Sequence, residues 1–325
     1  MVELWRGDQL ESLHAGHAVI CDERGEIVDA WGDPAAIIYP RSSCKMLQAL
    51  PLIESGAAAA AGLTDAQLAL ACASHQGAAL HTHAVGRWLA EIGLKETDLR
   101  CGAHEPYDKA ERDRLIRAYE APCQLHNNCS GKHAGFLTYT RHIGAGPEYT
   151  EIDHPLQRDI RQAFEEVTGE TSSGWGVDGC SAPNFSTSVH GLARAMARFA
   201  AADEAGDARS RAMHRLTRSM ASHPLLVAGK GRACTELMQA MDGRVTIKTG
   251  AEGVFIAIVP ERKFGVALKI CDGASRASEA AIAALLVRLG VLDPAHPAAR
   301  KRIEPHLLNW RGIDTGETRL AAGFP

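Results

Sequence analysis

Residues 244–271 read RVTIKTGAEGVFIAIVPERKFGVALKIC, and this stretch predicts the central sheet of the protein. It holds three runs rich in β-branched residues, at 244–249, 252–260 and 264–271. Gly250 and residues 260–263 (PERK) interrupt these runs, a pattern typical of an antiparallel meander. Near the N-terminus, residues 16–31 (GHAVICDERGEIVDAW) hold two more apolar runs around a polar turn and predict a β-hairpin.

The segments between these two sets of strands have helical periodicity. Stretches rich in Ala, Leu and Arg predict nine helices, at 44–54, 65–73, 83–93, 109–119, 132–141, 155–167, 187–201, 208–221 and 231–241. One more amphipathic helix is predicted over 275–289, with Gly290 as its C-terminal stop. Strands, a long helical middle, more strands and a last helix predict an α+β fold.

We expect the hairpin and the meander to pair into one antiparallel sheet, because neither buries enough surface to be stable alone. The helical middle is then a large insertion, and a cleft is expected where it meets the sheet. The predicted organisation is a single catalytic unit over residues 1–325. It comprises a sheet subdomain (1–40 and 242–295) and a helical subdomain (41–241).

The composition is that of an ordinary globular protein and excludes several kinds of partner. The chain has 325 residues, of which 46% are hydrophobic, and a net charge of -4. Mild acidity without a long Lys/Arg run argues against a nucleic acid or a membrane as partner. The nine cysteines are an odd number, and the N-terminus MVELWR has no basic stretch followed by an apolar run. Both features predict a cytoplasmic protein.

The first candidate for chemistry is the string RSSCK at 41–45. If Ser42 lies in the first turn of a helix, Lys45 lies on the same face, within reach of the serine hydroxyl. Such a lysine can deprotonate the serine once it has lost its own proton, which burial or a nearby cation favours. The alternative is an N-capping serine followed by a surface lysine.

Two more segments fit a serine acyl-transfer enzyme. Lys248, at the end of the first late strand, precedes Thr249 and Gly250, and it could relay protons while the glycine lets substrate approach the strand. Ser74, in ASHQG at 73–77, could pass a proton to a leaving amine. The alternatives are an edge-strand lysine before a turn glycine, and a serine at a helix C-terminus.

A third cluster contains thiols. In HNNCSGKHAG, residues 126–135, Cys129 lies at the start of a predicted helix beside Lys132 and His133, which predicts an acidified thiol. Cys180 lies in the turn-rich VDGCSAP at 177–183. Such thiols can be nucleophiles or metal ligands, although the spacing matches no standard zinc ribbon or finger. Two isolated buried cysteines are the alternative.

Together these strings resemble the bacterial class 3, or Rhizobium-type, L-asparaginases, which are similar in fold to serine β-lactamases and serine-dependent glutaminases. The resemblance extends over residues 15–290 and is carried by RSSCK, ASHQG, HNNCSGKHAGF, DGCSAPN and KTGAEGV. The string HNNCSGKHAG is far more specific than a Ser-x-x-Lys pair. Cys44, which lies between Ser42 and Lys45, is the clearest difference from the family pattern.

The resemblance implies an L-asparaginase whose site contains two Ser–Lys pairs. It places the catalytic residues at Ser42 with Lys45 and at Ser74 with Lys248. It implies a zinc ion, not directly catalytic, held by Cys129, Lys132 and Cys180. Residues lining the substrate pocket would be Arg41, His133 and Asp178. The implied partners are L-asparagine and a second copy of the chain in a homodimer.

Two other classes of function fit the same strings. One is a different amide hydrolase on the same scaffold, acting on glutamine, a β-lactam or a D-Ala peptide. The other is a protein without catalytic activity that binds zinc or an amino acid through the clusters at 126–133 and 178–183.

Overall fold

The computed structural model describes residues 1–325. Its strands are β1 (Val2–Arg6), β2 (Gln9–His14), β3 (Gly16–Cys21), β4 (Ile27–Trp31), β5 (Ile37–Ile38), β6 (Trp175–Val177), β7 (Pro183–Phe185), β8 (Thr187–Ser188), β9 (Thr246–Gly250), β10 (Val254–Val259), β11 (Phe264–Ile270), β12 (His306–Leu308) and β13 (Asp314–Leu320).

The α-helices are α1 (Lys45–Gln48), α2 (Leu50–Glu54), α3 (Ala57–Ala60), α4 (Asp65–Ala71), α5 (Ala79–Glu91), α6 (Lys109–Ala118), α7 (Ser130–His142), α8 (Pro155–Thr168), α9 (Val189–Ala201), α10 (Ala208–Ser222), α11 (Pro224–Val227), α12 (Ala233–Ala240), α13 (Ser275–Arg288) and α14 (Pro297–Ile303). The α+β class is therefore confirmed. No helix is both long enough and apolar enough to span a membrane.

The chain divides into two compact units. The first, called the sheet unit here, comprises residues 1–43, 188–201 and 236–325. Its larger sheet is antiparallel, with the strand order β4-β3-β11-β10-β9. β11 pairs with β3, with Val266 opposite Ile20, so the N-terminal hairpin and the C-terminal meander form one sheet as predicted.

Helices cover both faces of this sheet. All six residues of β10, VFIAIV, are buried, as expected for a strand without a solvent-facing side, and α9 and α13 both contact it. α9 also crosses β11 so closely that a Cβ atom at Gly265 would lie 2.0 Å from the Ala197 nitrogen and 2.2 Å from the Ala193 oxygen. Only glycine fits at this crossing.

A second sheet of the sheet unit has the order β12-β13-β1-β2 and joins the two ends of the chain. β1 pairs with β13, with Leu4 opposite Thr318. The sequence did not predict these strands, because β2 (QLESLH) and β13 (DTGETRL) are mostly polar and neither has a clear alternation of apolar residues.

The second unit, called the helical unit here, comprises residues 44–187 and 202–235. α7 is its central helix, buried continuously from Ser130 to Thr140. α4 packs against α7 at Gly131, where a Cβ atom would lie 2.5 Å from the Leu70 oxygen. The backbones of α4 and α7 therefore approach closely just where α7 begins.

The unit boundaries differ from the predicted subdomains in four places. Residues 41–43 and 236–241, which the sequence placed in the helical subdomain, belong to the sheet unit. α9, which the sequence placed in the helical subdomain, belongs to the sheet unit because it packs across β3, β10 and β11. The segment after residue 295 also belongs to the sheet unit, since β13 pairs with β1. The short helices α3, α11 and α14 and the hairpin β6–β7 were not predicted.

Candidate active site

The turn that carries Ser42 begins at a strained residue. Arg41 has a φ of 53°, in the left-handed region that non-glycine residues rarely occupy. Residues Arg41–Cys44 form one turn of 3₁₀ helix, and α1 begins directly after it with Lys45. The predicted helix start is therefore present, with Ser42 and Lys45 three residues apart along the turn.

The end of β9 lies against this turn within the sheet unit. A Cβ atom at Gly250 would lie 2.5 Å from the Pro40 oxygen and 3.2 Å from the Ser43 nitrogen, so only glycine allows this approach. Lys248, two residues earlier on β9, is 1% exposed, and its Nζ donates to the Thr249 carbonyl at 2.8 Å. The sheet unit thus places the Lys248–Gly250 strand end beside the turn that holds Ser42.

Lys45 is the centre of a second group, within the helical unit. The residue is 1% exposed, and its Nζ lies 3.0 Å from Ser74 Oγ and 3.1 Å from Cys129 Sγ. It also donates to the Ala73 carbonyl. As an ammonium, Lys45 donates to all three atoms; as a neutral amine, it donates to two of them and accepts the Ser74 proton. The second state is the one that a general base requires.

The segment that carries Ser74 is held from both sides. Ser74 follows the C-cap of α4, and its backbone nitrogen donates to the Val227 carbonyl at 2.9 Å. The next residue, His75, donates from its backbone to the Asn128 carbonyl at 3.2 Å. Its ring is completely buried, with Nε2 3.0 Å from Ser130 Oγ. Ser74 is therefore anchored to the segment that begins α7.

The predicted metal ligands form a third part of the same group. Cys129, Lys132 and Cys180 are each no more than 3% exposed, and Lys132 Nζ donates to Cys180 Sγ at 3.1 Å. Cys129 and Cys180 share a side-chain hydrogen bond, which lowers the pKa of Cys180 well below its usual value. Burial lowers the pKa of Lys132, but the Cys180 and Cys129 sulfurs outweigh this effect and raise it.

The expectation of an acidified thiol at Cys129 is wrong. The side-chain hydrogen bond with Cys180 and burial both raise the pKa of Cys129. Within this pair the pKa of Cys180 is the lowered one, since Cys180 accepts the Cys129 hydrogen bond and lies beside the Lys132 Nζ. The effect of Cys180 on the pKa of Cys129 therefore outweighs the effect of the helix start at α7.

These side chains fit the chemistry of a zinc site. Cysteine sulfurs are preferred protein ligands for zinc, and the Cys180 sulfur lies 3.1 Å from the Lys132 nitrogen, so two of the proposed ligand atoms already converge. A lysine ligand needs to lose its proton before it binds metal. The structure contains no group of three or more His, Cys, Asp or Glu side chains that could hold a metal ion.

His133 and Asp178 lie in the electrostatic surroundings of the same thiols. His133 is completely buried, and its pKa is lowered by burial first and by the Lys132 charge second. Its Nδ1 lies 2.8 Å from the Tyr149 hydroxyl. Asp178 lies in the β6–β7 hairpin, where its backbone nitrogen donates to Ala182 at 2.9 Å, and its charge raises the pKa of Lys132.

The structure adds two residues to this group. Burial raises the pKa of Cys44 to about 12, with Lys132, Asp178 and Lys45 as its charged neighbours. Cys44 is therefore a third, protonated thiol of the group. Tyr149 was not predicted, because it lies outside every recognisable string and no spacing connects it to His133.

Seven of the ten predicted site residues thus fall within the helical unit: Lys45, Ser74, Cys129, Lys132, His133, Asp178 and Cys180. The other three, Arg41, Ser42 and Lys248, belong to the sheet unit. The close pair seen for Lys45 is with Ser74. The predicted pairs of Ser42 with Lys45 and of Ser74 with Lys248 stay predictions.

Comparison with known families defines the class of protein. The chain belongs to the L-asparaginase II family, whose family model matches residues 2–320, nearly the whole chain. It is therefore an amidohydrolase of the L-asparaginase type that acts on a small molecule. The predicted resemblance to L-asparaginases is confirmed. No curated protein sequence matches the chain.

Solved structures with a similar backbone are distant in sequence. A β-lactamase from Mycobacterium bovis is 13% identical, with 86% of this chain and 96% of that chain covered and a TM-score of 0.47. Mglu, described in its tris and glutamate form, is 13% identical, with 89% and 62% covered and a TM-score of 0.49. An octameric penicillin-binding protein homologue from Pyrococcus abyssi is 13% identical, with 95% and 84% covered and a TM-score of 0.39. The family match, and not these likenesses, supports the conclusions that follow.

Proposed function

We propose that the protein hydrolyses L-asparagine to L-aspartate and ammonia through a covalent acyl-enzyme on Ser42. The family supplies the reaction class. The observation that carries the mechanism is the buried Lys45, whose Nζ lies 3.0 Å from Ser74 Oγ. A buried lysine in direct contact with a hydroxyl is the arrangement that serine–lysine acyl transfer uses.

In the first step, neutral Lys45 removes the proton of Ser42, three residues before it in the chain. The Ser42 oxygen attacks the side-chain amide carbon of asparagine and forms a tetrahedral oxyanion. Backbone N–H groups at Ser42 and at the strand after Lys248 are the proposed donors to this oxyanion. The absence of a side chain at Gly250 lets this strand end approach the turn closely.

In the second step, the C–N bond breaks and ammonia leaves with a proton. Ser74 is suited to deliver that proton, because its hydroxyl already contacts Lys45. Lys248 is the proposed partner of Ser74 in this relay. Water then attacks the ester, returns a proton along the same path and releases L-aspartate and free Ser42.

The substrate presents an α-ammonium and an α-carboxylate besides its reacting amide. Asp178 is the proposed partner of the ammonium, since it is a partly exposed carboxylate within the group. Arg41 or a zinc ion would attract the α-carboxylate of the substrate. His133 completes the proposed pocket.

Cys129, Lys132 and Cys180 are the proposed zinc ligands. When bound, zinc would supply a fixed positive charge that shapes the pocket and attracts the carboxylate, without taking part in bond breaking. Exchanging Cys180→Ser should abolish zinc retention, as measured by metal content after dialysis, and should raise KM for asparagine more than it lowers kcat. Full zinc content in this variant would contradict the ligand set.

The nucleophile is tested by ammonia release from L-asparagine in Ser42→Ala. We expect activity to fall to background while circular dichroism shows an unchanged fold, and wild-type incubated with substrate should show the aspartyl ester by mass spectrometry. Ser55→Ala, which changes an exposed serine, is the matched control and should be fully active. Wild-type rates in Ser42→Ala would overturn the mechanism.

The same assay separates the proposed substrate from its competitors. L-Asparagine, L-glutamine and a chromogenic cephalosporin are offered at equal concentration, and only the first should be turned over rapidly. Faster turnover of glutamine or of the cephalosporin would show that the protein is instead a glutaminase or a β-lactam hydrolase. The homodimer and the cytoplasmic location stay predictions.

A further inference from the structure

One direction of the hydrogen bonds around Tyr149 pairs each of its donors with an acceptor. The backbone N–H of Arg100 donates to the Tyr149 hydroxyl oxygen, with a nitrogen–oxygen distance of 2.7 Å. A backbone N–H has no other role, so the hydroxyl accepts here. Its own proton then needs an acceptor, and His133 Nδ1 lies 2.8 Å away. Tyr149 therefore donates to Nδ1, which leaves the ring proton of His133 on Nε2.

Both rings are fixed in place by their surroundings. Tyr149 and His133 are completely buried and meet edge to face, with centroids 5.4 Å apart. Phe136 packs on the His133 ring at 5.5 Å, and Gln157 Nε2 donates to the Tyr149 backbone carbonyl at 2.7 Å. This packing thus sets the orientation of the His133 ring and the position of the Tyr149 hydroxyl.

The other nitrogen of this ring has no protein partner. His133 Nε2 is buried and makes no hydrogen bond within the protein, which is costly for a donor. His133 lies one turn after Cys129 on α7, and its backbone nitrogen donates to the Cys129 carbonyl at 3.0 Å, so both side chains project from the same face of α7. An N–H donor that the fold leaves unpaired, on the face of α7 that carries Cys129, is suited to a ligand oxygen.

We propose that Tyr149 is a positioning residue that holds His133 with its ring proton on Nε2, and that this N–H donates to an oxygen of the amino-acid substrate. The role of Tyr149 follows from the hydrogen-bond chain alone. The role of His133 toward the substrate rests on the proposed function. An amino-acid carboxylate or side-chain carbonyl oxygen supplies the acceptor that Nε2 lacks within the protein.

The tautomer is tested by nitrogen-15 NMR of the full-length protein labelled at histidine, with His133→Gln used to assign the His133 signals. In the wild-type protein we expect Nε2 to carry the proton and Nδ1 to be a bare acceptor. In Tyr149→Phe, Nδ1 loses its donor, and a mixture of both tautomers is expected. A proton on Nδ1 in the wild type would overturn the proposal without any need for a variant to fold.

The substrate contact is tested by binding and by kinetics. Adding L-aspartate to the labelled wild-type protein should shift the Nε2 signal of His133, which does not depend on turnover. Tyr149→Phe should raise KM for asparagine about tenfold and change kcat by less than about twofold. The reason is that the weakened contact binds the substrate and the transition state equally well. Tyr139→Phe is the matched control, since Tyr139 is a buried tyrosine of α7 whose hydroxyl donates to Asp159 instead.

The outcomes separate this proposal from the proposed function. If the wild type releases no ammonia from asparagine but shows the Nε2 proton and its L-aspartate shift, the reaction assignment fails and the Tyr149–His133 arrangement stands. If L-aspartate leaves the His133 signal unmoved, or if Tyr149→Phe and Tyr139→Phe raise KM equally, the donor role of His133 is overturned.

Discussion

The two units stabilise their interiors in different ways. In the sheet unit, β10 is entirely apolar and α9 crosses β11 with no room for a side chain at Gly265. In the helical unit, the buried interior around Lys45 is polar and charged, with Ser74, His75, Asn127, Ser130, Lys132 and His133 all buried. The sheet unit therefore depends on close packing of apolar groups, while the helical unit depends on hydrogen bonds among buried polar side chains.

This difference explains why the chemistry-bearing groups concentrate in the helical unit. A buried lysine or thiolate is tolerated only where acceptors and counter-charges surround it, because desolvating a charge is costly. Lys45 has three acceptors and Lys132 has the Cys180 sulfur. Lys248 of the sheet unit is also buried, and its Nζ donates to the Thr249 carbonyl at 2.8 Å.

The largest effect is expected from Lys45→Met, which keeps the side-chain length and removes the amine. Without the general base, ammonia release from asparagine should fall by about 10³-fold. The measurement is steady-state ammonia production, with circular dichroism to verify the fold. Lys230→Met changes an exposed lysine and should keep full activity. A Lys45→Met variant that retains more than a tenth of the activity would show that the polar interior has no catalytic role.

Next in size is Gly265→Ala, which tests the dependence of the sheet unit on close packing. The added methyl group meets backbone atoms of α9 that cannot move independently, so the free energy of unfolding should fall by about 3 kcal/mol. Urea unfolding followed by circular dichroism measures the change. Gly146→Ala, at a position with open space around it, should change stability by less than about 0.5 kcal/mol. Equal effects at the two sites would contradict the close crossing.

The corresponding test of the helical unit is Asn127→Ala. The Asn127 side chain donates to the carbonyls of Cys101 and Gly102 and accepts from the Cys129 nitrogen at 2.8 Å. Truncation leaves buried backbone groups without partners and should cost about 2 kcal/mol of unfolding free energy. Asn309→Ala removes a similar pair of backbone contacts at an exposed turn and should cost less than half as much. An unchanged free energy of unfolding in Asn127→Ala would show that these hydrogen bonds do not stabilise the interior.

The smallest effect concerns a charge at the margin of the helical unit. The hydrogen bond from Arg114 lowers the pKa of Glu111, which is 7% exposed. A carboxyl whose pKa is lowered by folding stabilises the folded state at pH values above its unfolded-state pKa of about 4.3. This stabilisation is lost as the pH falls through the lower pKa of the folded state. Glu111→Gln should therefore destabilise by about 0.5–1 kcal/mol at pH 7 and by progressively less toward pH 3.

Thermal unfolding between pH 7 and pH 3 measures this dependence. Glu120→Gln is the matched control, because Glu120 pairs with the same Arg114 at 2.9 Å but is exposed. A surface ion pair contributes little to stability, so the unfolding temperature of this variant should follow that of the wild type at every pH. An identical pH profile for Glu111→Gln and wild type would contradict the lowered pKa.

Much of the fold follows from local patterns in the sequence. The runs at 244–271 and 16–31 predicted five strands and their antiparallel pairing, because apolar β-branched residues between turn residues have few other arrangements. The long helices follow from their periodicity in the same way. The terminal sheet was missed because polar edge strands such as β2 and β13 are specified by their partners and not by their own pattern.

The candidate site shows the same division. Motif spacing and family resemblance were enough to select Ser42, Lys45, Ser74, Lys248 and the two thiols. Which serine touches Lys45, which thiol lies against it and which tyrosine contacts His133 depend on contacts between residues 16 to 84 positions apart. Only the tertiary structure decided these points, because the charge of a buried group is set by its desolvation and its direct partners, and neither is encoded in local sequence.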